Sequence, residues 1–158
     1  MSGLNITLVQ TDISWLEPQQ NLTRLGELLS DVTDSDLIVL PETFATGFAF
    51  DQPNVGEAEN GPILAWMKQT AAKTGAVLVG SVAVNAEDGG KNANRLYWVT
   101  PTGEVSCYDK RHLFRMGDEH HHVVAGAKRE VFSLKGVRFL PNVCYDLRFP
   151  VWSRNQND

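Results

Sequence analysis

A mixed α/β fold is predicted by three observations. Short, strongly apolar runs such as 36–40 and 76–84 read as buried strands. The first two runs are each followed by a stretch with apolar residues at three- and four-residue spacing, as in helices packed on a sheet. From residue 76 onward the runs follow one another with only turns or loops between them. The order βα, βα and then a run of strands describes one mixed sheet covered by helices. No internal repeat, low-complexity tract or linker divides the chain.

Leu4 to Gln10 reads as a buried first strand, apolar on both faces through Ile6, Leu8 and Val9. Pro18 opens a helix whose inner stripe is Leu22, Leu25, Leu29 and Val32, with Arg24, Glu27 and Asp31 between them. Asp36 to Thr43 is the second buried strand. Pro41 cannot donate to a ladder and must end it. Glu42 then stands at a strand's carboxyl end, where α/β sheets collect ligands and chemistry. Residues 44–60, rich in Gly, Asn, Asp and Pro, read as a loop. Pro62 suits the first turn of a helix over 62–74, with Leu64, Met67, Ala71 and Ala72 facing inward and Gly75 as its stop. Residues 76–84 form the third strand, and 88–91 a turn. Residues 93–100 and 105–108 pair as a hairpin about Pro101-Thr102-Gly103-Glu104. A polar loop with three adjacent histidines follows over 115–127. Residues 130–134 and 137–143 are the last strands, turning at Lys135-Gly136.

The 158 residues are 42% apolar and 21% charged, which is the composition of one soluble globular domain. A net charge of −5 leaves no basic footprint for nucleic acid or an anionic membrane. No apolar run is long enough to span a bilayer, and the first residues show no secretory pattern. Two cysteines, Cys107 and Cys144, make no disulfide framework, and a reducing cytoplasm fits them best.

Four groups at element ends or in loops have coherent chemistry together. Cys144 follows an apolar run and precedes a charged segment, a setting in which nucleophiles meet solvent. A free thiol is only a few per cent ionised at neutral pH, so it needs a base, and Glu42 is a candidate. Lys110 is suited to hold a developing oxyanion together with the backbone N–H of Tyr145. Glu119 would keep that lysine charged and oriented. Each also has a plainer reading. Free cysteine is commonly a small buried apolar residue, Lys110 between Asp109 and Arg111 a solvated charge, and Glu119 a surface acid. Spacing alone does not choose between the two. A metal reading is also open, with His120 and His122 on one face and His112 as a third ligand, although no H-E-x-x-H spacing is present.

Three blocks carry a resemblance: Leu40-Pro41-Glu42, then Tyr108-Asp109-Lys110-Arg111-His112-Leu113-Phe114, then Asn142-Val143-Cys144-Tyr145-Asp146-Leu147-Arg148-Phe149-Pro150. They resemble, in order, the signature blocks of the nitrilase, or carbon–nitrogen hydrolase, superfamily. Glu119, just before Ala125-Gly126, matches that family's second glutamate. Residues 44–48, 114–120 and 144–152 are similar to those of its bacterial omega-amidases.

The resemblance implies an αββα sandwich, incomplete here at its C-terminal side, with residues 1–158 the N-terminal part of a single domain. Family domains pair into homodimers of eight layers. It implies amide hydrolysis through a thioester, with Cys144 as nucleophile, Glu42 as general base, Lys110 and the Tyr145 amide on the oxyanion, Glu119 in support, and Glu42 or Glu119 activating the water that splits the thioester. No metal and no organic cofactor is required. The implied substrates are small ω-amides of 2-oxo acids, 2-oxoglutaramate and 2-oxosuccinamate, left after glutamine or asparagine donates its amino group. Arg148 and Arg115 are candidates for the substrate carboxylate, and a structural pairing of Arg148 with Asp146 is the alternative. Another specificity within the superfamily, for aliphatic amides, nitriles or N-carbamoyl compounds, is the runner-up. So is a short chain that keeps the four side chains but only a binding role, with little or no turnover by itself.

Overall fold

The computed structural model describes residues 3–86 and 90–155. The expected turn over 88–91 lies partly outside them. Five strands form one sheet in sequence order: β1 (Ile6–Leu8), β2 (Leu37–Val39), β3 (Val77–Val84), β4 (Ala93–Val99) and β5 (Val105–Asp109). β1, β2 and β3 are parallel, and β4 and β5 continue antiparallel. Two helices, α1 (Pro18–Leu28) and α2 (Pro62–Thr74), make the crossovers and cover one face. A separate hairpin, β6 (Phe132–Leu134) with β7 (Val137–Phe139), packs on the other face. These are the first three layers of the expected sandwich; a fourth is not seen among the described residues.

The alternation of side chains along each strand sorts the core into two sheets of contact. Ile38, Leu78, Val82, Tyr97 and Val99 meet Leu22, Leu25, Leu64 and Met67 of the helices. Leu37, Val77, Val79, Leu96, Trp98 and Tyr108 meet the hairpin. There Trp98 packs between Phe132 and Phe139, with ring centroids 5.2 and 5.3 Å away.

Several expectations are met. α2 begins at Pro62, and Gly75 ends it at φ +69, its N–H returning to Ala71 O. The β6–β7 turn takes Lys135 and Gly136 at φ +49 and +80, the geometry a two-residue hairpin requires. Asn21 is buried and donates to Ser14 O and Ala45 O, tying α1 to the segment after β2.

Others are corrected. β1 is not buried: it is an edge strand, and Ile6 and Leu8 are 48% and 76% exposed because the hairpin does not reach them. Ala72 is exposed, and Ile63 and Thr70 complete the inner stripe of α2. The last strand stops at Phe139, so Leu140–Val143 is an irregular approach to Cys144. The segment 115–127 is not all loop. It holds a 3₁₀ turn, Arg115–Gly117, and one helical turn, α3 (Glu119–His122), followed by buried Val123.

Segment 44–60 is anchored at its far end by Glu57. Its carboxylate accepts the N–H groups of Ile63 (2.7 Å) and Leu64 (3.1 Å), doing for α2 what Gly61 at its N-cap has no side chain to do. Glu57→Ala is expected to destabilise by about 1–2 kcal/mol, as loss of a capping side chain does. Urea unfolding would read this, and a change below about 0.5 kcal/mol would remove the cap from the account.

Candidate active site

The ends of β2, β3 and β5 and the start of β4 share one edge of the sheet, because β5 runs parallel to β3. The expected residues converge there. Glu42 follows Pro41 past the end of β2, and Lys110 is the first residue past β5. Glu119 opens α3, and Cys144 opens a 3₁₀ turn, Cys144–Arg148.

Lys110 is the hub. Its Nζ is 2.8 Å from Glu42 Oε1 and lies across both oxygens of Glu119, 3.1 Å from Oε1 and 2.9 Å from Oε2. The ring of Phe48 lies 5.5 Å from the same nitrogen. The side chains of Lys110 and Glu119 are fully buried, while that of Glu42 keeps 21% exposure. Burial alone would lower the ammonium pKa. The charge and hydrogen bond of Glu42, then those of Glu119, outweigh burial and hold it above the ordinary lysine value. The plain readings of Lys110 and Glu119 as surface charges are therefore excluded.

Cys144 is exposed and reduced, so it is not the buried apolar filler that free cysteine often is. The Glu42 carboxylate is close enough to act on its thiol electrostatically. Partial burial pushes the thiol pKa up and the Glu42 charge pushes it further, with Lys110 opposing in part. The resting group is a protonated thiol beside a carboxylate, which is the pairing that general-base activation needs.

The local backbone is held against its preference. Cys144 sits at φ +46, Thr43 beside Glu42 at φ +46, and Asp118 before Glu119 at φ +54. Such left-handed conformations are unfavourable for non-glycine residues, most of all for β-branched Thr. Hydrogen bonds hold the second and third of these segments. Ser81 Oγ accepts the Thr43 N–H at 2.9 Å. Glu119 Oε2 accepts the Phe114 N–H at 2.6 Å. Behind Lys110, the Gly126 N–H reaches Lys110 O at 2.9 Å, and a Cβ there would stand 2.0 Å from Asp109 O, so only glycine fits.

Asp146 holds the turn that begins at Cys144. Oδ2 accepts Tyr108 OH (2.8 Å) and the Val143 N–H (3.0 Å), and Oδ1 accepts the His112 N–H (2.8 Å) and faces His112 Nδ1 (2.8 Å). With four partners it has none to spare for Arg148, which corrects the alternative of a structural Arg148–Asp146 pair. Arg148 instead lines an open cavity of about 680 Å³ with Phe114, Met116, Cys144, Tyr145 and Leu147. Arg115 is exposed on the neighbouring 3₁₀ turn and is not among the lining residues.

The histidine expectation also changes. His112 is bound to Asp146 and stacked on Phe149 at 3.8 Å, away from the other histidines' role. The groups that do come together are Asp118, His120 and His121, with ligand atoms within 4.8 Å of one another. Sequence reasoning missed Asn94. It is fully buried, and its Nδ2 donates to Glu42 Oε1 (2.9 Å) and Glu119 Oε1 (3.0 Å). The available signal was a polar residue in line with Leu96 and Trp98 on a core-facing side of β4.

The fold, the four convergent groups and a family comparison agree on a class. Residues 5–157 match the carbon–nitrogen hydrolase family, and the chain belongs to it. It is 48% identical over its whole length to Omega-amidase YafV of Yersinia enterocolitica and 47% to that of Escherichia coli K12, spanning 60% of each. A 2-oxoglutaramate amidase of Bacillus subtilis is 36% identical over 94% of the chain and 58% of the relative. Among solved structures, the CN-hydrolase superfamily protein XC1258 of Xanthomonas campestris, which carries an arsenic adduct in its active site, is 45% identical. It superposes with a TM-score of 0.94 over 99% of this chain and 58% of that one. Among the described residues no helix is long and apolar enough to cross a membrane.

Proposed function

We propose that this chain carries the catalytic groups of an amidase that hydrolyses the ω-amides of 2-oxo dicarboxylic acids, 2-oxoglutaramate and 2-oxosuccinamate, through a cysteine thioester. The observation that carries the reading is an exposed thiol that feels the charge of Glu42, with Glu42 itself tied to the buried Lys110–Glu119 pair. Glu42 takes the Cys144 proton, and the thiolate attacks the amide carbon. Lys110 Nζ and the Tyr145 N–H, an amide of the first turn that has no intrahelical partner, hold the oxyanion. Glu42 returns the proton to nitrogen, the C–N bond breaks and ammonia leaves. The C–S bond formed in the attack remains as the thioester. Water deprotonated by Glu42 then splits it and restores the thiol. Glu119 is buried with both oxygens engaged, which suits orientation of Lys110 rather than activation of water.

The omega-amidase and 2-oxoglutaramate amidase relatives support the substrate class. Arg148, exposed on the same turn as Cys144 and lining the same cavity, is the first candidate for the substrate carboxylate, and Arg115 on the neighbouring turn is the second. Arsenic in the active site of XC1258 is what a soft thiolate ligand would hold. A homodimer in the cytoplasm is the setting that goes with this reading.

The test is incubation with 2-oxoglutaramate and a panel of other amides, nitriles and N-carbamoyl compounds. Ammonia is measured and the Cys144 peptide weighed by mass spectrometry. The expected result is an acyl adduct on Cys144 with 2-oxoglutaramate, absent in Cys144→Ala. An adduct formed only with a nitrile or a carbamoyl compound would reassign the substrate. No adduct with any compound would overturn the reading.

A further inference from the structure

Asn94 and Lys110 stand opposite one another across the β4–β5 ladder, one step beyond the Arg95–Asp109 pair, and the Lys110 N–H donates to Asn94 O at 2.9 Å. Their side chains reach the same two acceptors. Glu42 Oε1 takes Lys110 Nζ at 2.8 Å and Asn94 Nδ2 at 2.9 Å. Glu119 Oε1 takes Lys110 Nζ at 3.1 Å and Asn94 Nδ2 at 3.0 Å. The site is thus a square of two donors, one charged and one neutral, against two carboxylates.

We infer that Asn94 is a positioning residue for the proposed reaction: it spaces the two carboxylates and commits one oxygen of Glu42 inward, so that the other is left to the Cys144 thiol. The reasoning is one of charge and valence. Two carboxylates and one ammonium leave a net charge of −1 in a buried site. Thiolate formation with the proton on Glu42 keeps that sum unchanged, but only if Glu119 stays ionised against Lys110. An amide NH2 has two hydrogens and no charge, one for each carboxylate. A second cation would over-neutralise the site and weaken Glu42 as a base, and an apolar residue would leave the carboxylates facing one another. Both acceptors are carboxylates, so the amide orientation is fixed. Its Oδ1 is consequently buried without a partner among the described residues. A buried acceptor left unsatisfied is unfavourable, which makes simple packing a poor account of the residue.

This rests on the roles proposed for Glu42 and Cys144, and the experiment separates the two. Asn94→Leu removes both donors at similar size. Asn94→Asp keeps the shape and adds a third acceptor. The first readout is the pH dependence of Cys144 alkylation by iodoacetamide, followed on the Cys144 peptide so that Cys107 does not interfere. It requires no knowledge of the substrate. The midpoint is expected to rise by about one pH unit in Asn94→Leu and by more in Asn94→Asp, because less of the carboxylate charge beside the thiol is balanced. The second readout is amide hydrolysis, where kcat is expected to fall by about 10²-fold with KM within about twofold. Folded variants with wild-type alkylation midpoints would overturn the assignment, whatever the hydrolysis assay shows. So would a loss of rate with the midpoint unmoved, which is the signature of general loosening. If Asn94→Asp does not fold, Asn94→Leu decides by the same criteria. If wild type hydrolyses no amide, the alkylation profile still judges Asn94 while the proposed substrate class fails by itself.

Discussion

Replacing Lys110 by methionine is expected to cost about 3–5 kcal/mol of stability, the range for breaking a buried ion pair from one side. Methionine fills the volume of the lysine stem but leaves Glu119 as a carboxylate with no cation in a site closed to water. It also strips Glu42 of its strongest partner. Urea unfolding followed by tryptophan fluorescence would measure the loss without reference to any activity. The double variant Lys110→Met, Glu119→Gln should recover a large part of it, because the orphaned charge is gone. A single variant within about 1 kcal/mol of wild type would mean that water reaches Glu119 and that the site is not sealed as described.

Glu42→Gln is expected to separate two properties of the thiol. Glutamine retains an oxygen to accept from Lys110 and Asn94, so the fold should hold. It cannot take a proton, and kcat on an amide should fall by about 10²- to 10⁴-fold, the usual worth of a positioned base. Alkylation of Cys144 should move the other way. Burial is the larger cause of the raised thiol pKa, and the Glu42 charge is the next. Removing that charge leaves burial opposed by Lys110, so the thiol pKa drops and alkylation at neutral pH becomes faster. A variant that loses turnover and alkylates more slowly would point to a displaced Cys144 rather than a missing base.

Much of the scaffold was legible because it is local. Pro62 and Gly75 bound α2, Thr100 to Glu104 closes the β4–β5 turn, and Pro41 ends β2 so that Glu42 emerges at the sheet edge. The exposure of Ile6 and Leu8 was not legible, since alternation along a strand says nothing about whether a hairpin far along the chain covers its edge. Nor was the short helix at Glu119, where three histidines read as polar loop and the buried member is the residue before them. The site itself is non-local. Lys110 meets Glu42 across 68 residues and Asn94 meets Glu42 across 52, distances over which no periodicity operates. Family resemblance supplied Glu42, Lys110, Glu119 and Cys144, yet was silent on Asn94 and on the clamp formed by Asp146. The left-handed backbone at Thr43, Asp118 and Cys144 was hidden for a related reason. Residues that avoid this conformation are held in it by partners elsewhere, not by their own preference.

The Asp146 clamp has a dynamic consequence. Tyr108 and His112 lie two residues either side of Lys110, and Val143 directly precedes Cys144. One side chain therefore joins the segment bearing the ammonium to the segment bearing the thiol, by a short closed circuit that does not run through the β6–β7 hairpin. Thermal displacements of the two segments become correlated, and their separation varies less than the position of either. A misplacement of about 1 Å can cost a reaction 10²-fold. In the proposed reaction, the carbonyl oxygen of a substrate bonded to Cys144 would meet the Lys110 ammonium at a nearly constant distance even while the surrounding loops breathe.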